Sequence, residues 1–287
     1  MGKYNVRAYH VKAPLNLSKL WEGSVFQPCA SGNEMSVGLI AAGPEQSQLL
    51  WKAKGLEFLE YAVEERRVPK KWLEAEVRRR RLPTHTAEEI GTLTENVKAE
   101  LWQKIIPTKK YGWVCYIPDD NMLLVCGSVR HTEYVTGVLR QALGSLSIDN
   151  AFEVHAFELA VRDFISGDLE MEEISLGHSV NLYEGSGKGR TVVSFKNFDG
   201  LQENEHIADH MLRCKGVATA GFIVDGVEEN CDDVVASPYA ELVITEVKDK
   251  EADEYGTMLI RADRARTLVQ ILKAAIGFYT KDTGAKV

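Results

Sequence analysis

This 287-residue chain has no closely spaced cysteines and no long apolar run, and each of these absences argues against a class of protein. The cysteines form no C-x-x-C pair, which argues against a structural zinc site and against a disulfide scaffold. They are Cys29, Cys115, Cys126, Cys214 and Cys231. No apolar run approaches the ~20 residues that a membrane-spanning helix needs. No basic segment followed by an apolar one opens the sequence, so we expect a cytoplasmic protein with reduced thiols.

Charge is unevenly distributed along the chain, whose net charge is -8. Residues 1–150 carry 20 basic and 17 acidic side chains, a net of +3, whereas residues 151–287 carry 14 and 25, a net of -11. Between Arg66 and Arg81, eight basic residues accompany only two acidic ones, a local charge of +6. Such a segment on an acidic protein is expected to direct a polyanion to one surface, although a solvated surface helix is the plainer explanation.

The basic segment is predicted to be the first arm of a helical hairpin over residues 66–106. Pro69 suits the first turn of a helix, and Pro83 ends that helix. At about 100° of rotation per residue, a basic stripe lies beside an apolar seam formed by Leu73 and Val77. The stripe consists of Lys70, Lys71, Arg78 and Arg81. The same rotation turns Arg79 and Arg80 away from the stripe.

The second arm of the hairpin begins at a capping box, in which Thr86 and Glu89 satisfy each other's free backbone donors. Its apolar residues recur every three or four positions, as one face of a helix requires. They are Ile90, Leu93, Val97 and Leu101. Pro107 stops the arm.

Short strands and helices interleave elsewhere without a regular βαβ rhythm, which predicts an α+β fold with antiparallel sheets. A hairpin is expected around the turn Pro118–Asn121, and residues 152–157 and 258–261 are expected to be extended. A short helix is predicted at residues 159–165, and the last helix of the chain is predicted at residues 263–278. The chain divides into a first lobe (1–62 plus 107–150), a hairpin tip (63–106) and a second lobe (151–287).

Three segments invite a catalytic or metal-binding interpretation. Gly185–Arg190 is glycine-rich, but it lacks the hydroxyl of a phosphate loop and leads into a strand, so a hairpin turn explains it better. Glu246 and Lys248 close an apolar strand in a Glu-x-Lys pattern like that of metal-dependent nucleases. His206 and His210 have helical spacing, but no third ligand accompanies them, so we expect no metal site, no cofactor and no catalytic residue.

An ordered series of motifs resembles the RdgC family of recombination-associated DNA-binding proteins. The segments that carry the resemblance are Phe26–Cys29, Val63–Pro69, Leu73–Val77, Ile105–Pro107, Leu139–Leu146 and Val193–Leu201. They read F-Q-P-C, V-E-E-R-R-V-P, L-E-A-E-V, I-I-P, L-R-Q-A-L-G-S-L and V-S-F-K-N-F-D-G-L. The last third of the chain is less similar until its final helix.

The resemblance implies a horseshoe-shaped subunit that forms a head-to-head dimeric ring around double-stranded DNA. It also implies no enzymatic activity, little sequence preference, and restraint of a RecA-type recombinase on nucleoid DNA. Lys196 and Asn197 align with a Lys-Gln pair near the inner surface of the family's ring, so the resemblance makes them candidate DNA contacts.

The sequence thus predicts a sequence-independent duplex-DNA binder that is not an enzyme. The expected DNA-binding residues are Arg66, Arg67, Lys70, Lys71, Arg78, Arg81, Lys109, Lys110, Lys196 and Asn197. Two alternatives remain open at this point. One is a magnesium-dependent nuclease that uses Glu246 and Lys248, and the other is an inhibitor whose acidic half mimics DNA and which has no affinity for duplex DNA.

Overall fold

The computed structural model describes residues 2–20, 22–30, 33–184, 191–196, 207, 210, 216–224, 232–246 and 251–282. Its strands are β1 (Lys3–Val11), β2 (Met35–Ile40), β3 (Leu50–Ala53), β4 (Leu56–Glu65), β5 (Thr108–Ile117), β6 (Met122–Cys126), β7 (Ile148–Asn150), β8 (Ile174–Glu184), β9 (Thr191–Lys196), β10 (Gly216–Val224), β11 (Asp232–Ala236) and β12 (Glu241–Thr245). Its α-helices are α1 (Lys70–Arg80), α2 (Ala87–Lys104), α3 (Val129–Leu143), α4 (Val154–Ser166) and α5 (Glu254–Asp282). Single 3-10 turns occupy Leu17–Lys19, Glu22–Ser24 and Pro118–Asp120.

All twelve strands belong to one antiparallel sheet, which confirms the predicted α+β class. The strand order is β2-β4-β5-β6-β1-β12-β11-β10-β8-β9, with β3 paired to β4 and β7 paired to β1. β1 lies in the middle, because it pairs with β6 on one side and with β12 on the other. The sheet therefore runs through both predicted lobes, whose division stays a prediction.

Helices cover opposite faces of the sheet at different strands. Residues of β1 alternate in direction, so Val6 and Ala8 enter one hydrophobic cluster while Tyr9 and Val11 enter another. In the first cluster, the buried residues of α4 and α5 pack against one face of the sheet. The second packs α3 against the other face, on the strands from β2 to β1. No helix in the described residues is long and apolar enough to span a membrane.

Two helices begin earlier than the sequence pattern indicated. Residues 154–157, expected to be extended, form the first turn of α4, because the Glu153 carboxylate accepts a hydrogen bond from the Ala156 N–H. Residues 258–261, expected to be a strand, lie within α5, because Asp253 caps the N–H of Gly256. In both segments the buried residues recur at helical spacing, which the short apolar run concealed.

The helical hairpin forms as predicted and is largely exposed to solvent. α1 has no buried residue, and α2 buries only Val97. The Thr86–Glu89 capping box is present in both directions, with the Thr86 N–H donating to the Glu89 carboxylate at 2.7 Å. Pro69 takes the N-cap position rather than the first turn, one residue earlier than expected. Because α1 has no buried residue, the basic arm is exposed along most of its surface.

Gly112 is expected to be essential at the root of the hairpin, where β4 and β5 pair. Gly112 lies opposite Tyr61, whose hydroxyl donates to the Cys126 carbonyl oxygen at 2.6 Å. A Cβ at this glycine would overlap the Tyr61 ring and lie 2.6 Å from that carbonyl oxygen. We expect Gly112→Ala to lower the free energy of unfolding by about 3 kcal/mol, because an overpacked core must shift. Urea denaturation monitored by circular dichroism measures this loss.

Gly91→Ala is the matched control for this substitution. Gly91 lies in α2, and no atom lies within 4 Å of the position that its Cβ would take. Alanine at this position is expected to raise the free energy of unfolding by up to about 1 kcal/mol, because alanine favours a helix more than glycine does. Equal stability of the Gly112→Ala variant and the wild type would show that Tyr61 is not packed against this glycine.

Candidate nucleic-acid interface

The exposed side of α1 presents the basic stripe that the sequence predicts. Lys70, Lys71, Arg78 and Arg81 are all exposed. Lys70 forms an i,i+4 ion pair with Glu74 at 3.6 Å. Lys71, Arg78 and Arg81 have no ion pair among the residues that the structure describes. Three exposed cations are therefore available to an external anion along one helix.

Arg79 and Arg80, whose position on the helix turns them away from the stripe, form ion pairs with carboxylates of the hairpin. Both donate to the Glu76 carboxylate, Arg79 at 2.6 Å and Arg80 at 2.8 Å. Arg80 also donates two hydrogen bonds to Glu100 of α2, at 3.0 and 2.8 Å. Arg80 thus links the two arms, and its charge is compensated by two carboxylates.

The charge of Glu76 is fixed by these contacts. Hydrogen bonds from Arg79 and then from Arg80 lower the pKa of Glu76 to about 2. Glu76 therefore stays ionised at neutral pH and keeps both guanidinium groups in place. Arg79 and Arg80 are therefore compensated by carboxylates, and of the two only Arg80 also contacts α2.

A second group of cations surrounds a cleft of about 320 Å³ at the root of the hairpin. Its basic lining residues are Arg66, Arg67, Lys98 and Arg130, and its acidic ones are Glu34 and Glu65. The backbone N–H of Arg66 donates to the Glu34 carbonyl oxygen at 2.9 Å, which anchors the segment that leads from β4 into α1. Sequence reasoning missed Lys98 and Arg130, because they come from α2 and α3 and converge only in three dimensions.

Lys109 and Lys110 point to opposite faces of β5, as strand alternation requires. Lys110 lies 3.8 Å from the Glu65 carboxylate, which also lies 3.7 Å from Arg130 and 3.6 Å from His131. Lys109 lies on the other face, 4.2 Å from the centre of the Phe26 ring and 5.4 Å from that of the Tyr111 ring. Only Lys110 therefore adjoins the basic cleft.

Lys196 is separate from the hairpin in the strand order. It is the last residue of β9, is exposed, and pairs with Ser179 of β8 at the end of the sheet opposite to β2. Asn197 lies outside the described residues. The structure therefore does not join Lys196 to the basic residues of the hairpin within one subunit.

The candidate catalytic residues are only partly described. Glu246 forms an ion pair with Arg261 of α5, and its backbone N–H donates to the Gly2 carbonyl oxygen at 2.9 Å. Lys248, His206 and the Gly185–Arg190 segment lie outside the described residues, and His210 lies against Phe195, with ring centres 5.6 Å apart. Across the described ranges, no three His, Cys, Asp or Glu side chains are placed to hold a metal ion.

Comparison with known protein families identifies the chain. The family model described as "Putative exonuclease, RdgC" matches residues 4–223, more than half of the 287 residues. The chain belongs to the RdgC family. The resemblance drawn from the ordered motifs is thereby confirmed, and membership implies a DNA-related role. A comparison with curated proteins found no match. The matched range contains the whole helical hairpin and the basic cleft, whereas α5 lies outside it.

Proposed function

We propose that this RdgC-family protein is a non-catalytic, sequence-independent binder of double-stranded DNA. The observation that carries the proposal is the row of exposed cations on α1, of which Lys71, Arg78 and Arg81 have no ion pair in the described part of the chain. Flexible lysine and arginine side chains on an exposed helix suit phosphate oxygens, which carry no sequence information. Affinity then comes from counterion release rather than from base contacts.

The acidic remainder of the protein supports a directed mode of binding. Residues 151–287 carry a net charge of -11, so that half repels a polyanion while the hairpin attracts it. Two subunits that close into a dimeric ring would place both hairpins around one duplex. A horseshoe-shaped subunit and a homodimer are what family membership favours, and the ring adds topological retention to the phosphate contacts.

A ring on duplex DNA would act on homologous recombination by occupying the DNA. We propose that it restrains a RecA-type recombinase by excluding the recombinase from the encircled stretch, which needs no direct contact between the two proteins. The same mechanism would associate the protein with the nucleoid.

The second candidate function is a metal-dependent nuclease, which the description of the family model as "Putative exonuclease, RdgC" favours. Glu246 and Lys248 are its candidate residues, with Glu246 as a metal ligand. Against this role, the Glu246 carboxylate is engaged by Arg261, whose charge competes with a metal ion for the same oxygens.

One experiment separates these proposals. Labelled duplexes of two unrelated sequences are incubated with the protein in Mg²⁺ or Mn²⁺, and both binding and chain length are followed. We expect similar affinity for both sequences and no shortening of either strand. Degradation that Glu246→Ala abolishes and the control Asp263→Ala, at an exposed carboxylate of α5, retains would establish the nuclease instead. No affinity for either duplex would favour an acidic DNA mimic.

A further inference from the structure

The cleft at the root of the hairpin combines an aromatic wall with four cations that come from three separate parts of the chain. Arg66 and Arg67 precede α1, Lys98 and Trp102 lie four residues apart on α2, and Arg130 lies in the first turn of α3. Residues four apart on a helix share one side, so Lys98 and Trp102 face the cleft together. We propose that this cleft binds a phosphate group of an unpaired nucleotide, a ligand that duplex binding along α1 does not require.

The charge balance of the cleft favours an anion. Lys98 is half-buried and has no ion pair among the described residues, so its charge is partly desolvated without compensation. Of the two acidic lining residues, Glu34 is exposed. The other, Glu65, is already approached within 4 Å by Lys110, Arg130 and His131. Four basic lining residues against two acidic ones leave the cleft with a net positive charge, which favours the entry of a phosphate.

The size and lining of the cleft select an unpaired nucleotide over a duplex. A volume of about 320 Å³ is enough for one phosphate and its attached nucleoside but not for a double helix. One guanidinium group can donate two parallel hydrogen bonds to two oxygens of a phosphate. The indole ring of Trp102 offers a flat surface on which any base can stack. Arg67 lines the cleft and lies three residues before α1, which places the cleft beside the first turn of the helix that carries the stripe.

This inference rests on the proposed DNA-binding function, and its test uses variants that spare the stripe. Lys98→Gln and Arg130→Gln are combined in one protein. The matched control combines Lys104→Gln and Arg140→Gln, exposed cations in the last turns of the same two helices and outside this cleft. Affinity is measured for a blunt duplex and for the same duplex with a 5′ overhang, which carries either a 5′-phosphate or a 5′-hydroxyl.

The wild type and the control are expected to bind the overhang duplex about tenfold more tightly than the blunt one, since charge-assisted hydrogen bonds are gained. The cleft variant is expected to lose that preference while its blunt-duplex affinity changes less than about twofold. If removal of the 5′-phosphate abolishes the preference, the ligand is a terminal phosphate; if not, it is an internal phosphodiester. An unchanged preference in the cleft variant would overturn the inference.

The experiment distinguishes failure of the cleft proposal from failure of the duplex-binding proposal. Should the wild type bind the overhang but no blunt duplex, the proposed duplex function would fail while the cleft proposal stood. Should the blunt duplex bind but the overhang add nothing, the cleft proposal would fail alone. Thermal unfolding of both double variants checks that each remains folded.

Discussion

Replacing Lys71, Arg78 and Arg81 together by glutamine is expected to weaken duplex binding about 100-fold at physiological salt. Each of these exposed cations is free of ion pairs in the described residues and would contribute one phosphate contact. Loss of a charge-assisted hydrogen bond costs roughly 1 kcal/mol or more at an exposed site, so three such losses multiply to about two powers of ten. Fluorescence anisotropy on a short duplex measures the change.

The salt dependence provides a second readout of the same substitution. Each phosphate contact adds about 0.9 to the slope of log K against log salt concentration, so the slope should fall by about 3 for each subunit's site. Affinity should fall equally for unrelated sequences, because phosphates are read and bases are not. A loss that differs strongly between sequences would mean that these side chains contact bases.

The matched control removes three cations that the structure places in ion pairs. Lys12 lies 2.9 Å from Asp149, Lys52 pairs with Glu57, and Arg79 pairs with Glu76. Their combined replacement by glutamine lowers the net charge by the same amount and is expected to weaken duplex binding less than about threefold. Equal losses in both triple variants would show that only overall charge matters and would contradict a specific role for the α1 stripe.

The helical hairpin was predictable because its signals are local. Pro69, Pro83 and Pro107 bound the two arms, and Thr86 with Glu89 fixes where the second begins. The rotation of about 100° per residue was equally informative. It placed Arg80, which donates to Glu100 of the second arm, on a different side of α1 from the basic stripe. Signals that act within one turn of chain need no knowledge of the rest of the fold.

The sheet topology was not predictable, because it depends on contacts between distant residues. Lys3 of β1 pairs with Thr245 of β12, and Val6 pairs with Cys126 of β6. Nothing in the local pattern indicates these partners. The early starts of α4 and α5 have a similar cause. A short apolar run fits either a strand or a buried helix, and only its packing in the folded protein decides between them.

The two groups of basic residues differ in the same way. The α1 stripe could be predicted from its sequence because one helix presents it. The cleft could not be, since Lys98 and Arg130 are isolated cations in their own segments and meet Arg66 only through the packing of α2 and α3 at the hairpin root. The local signal for Lys98 was weak, since the sequence shows only that it directly follows Val97, a residue of the predicted apolar face of α2.

Retention on closed circular DNA is expected to distinguish a ring from an open clamp with a large effect. A ring that encircles the duplex has no end to leave from on a closed circle, so its release requires opening of the dimer interface. On linear DNA of the same sequence, sliding along the backbone allows release at the ends. Phosphate contacts are identical on the two molecules, so any difference between them measures topology alone.

The most direct measurement loads the protein on a closed circle, raises the salt to weaken phosphate contacts, and follows the protein that remains bound before and after a single restriction cut. We predict release at least about tenfold slower from the closed circle than from the cut molecule, with rapid loss upon cutting. Equal release from closed and cut DNA would contradict encirclement and leave the protein as an open, one-sided DNA binder.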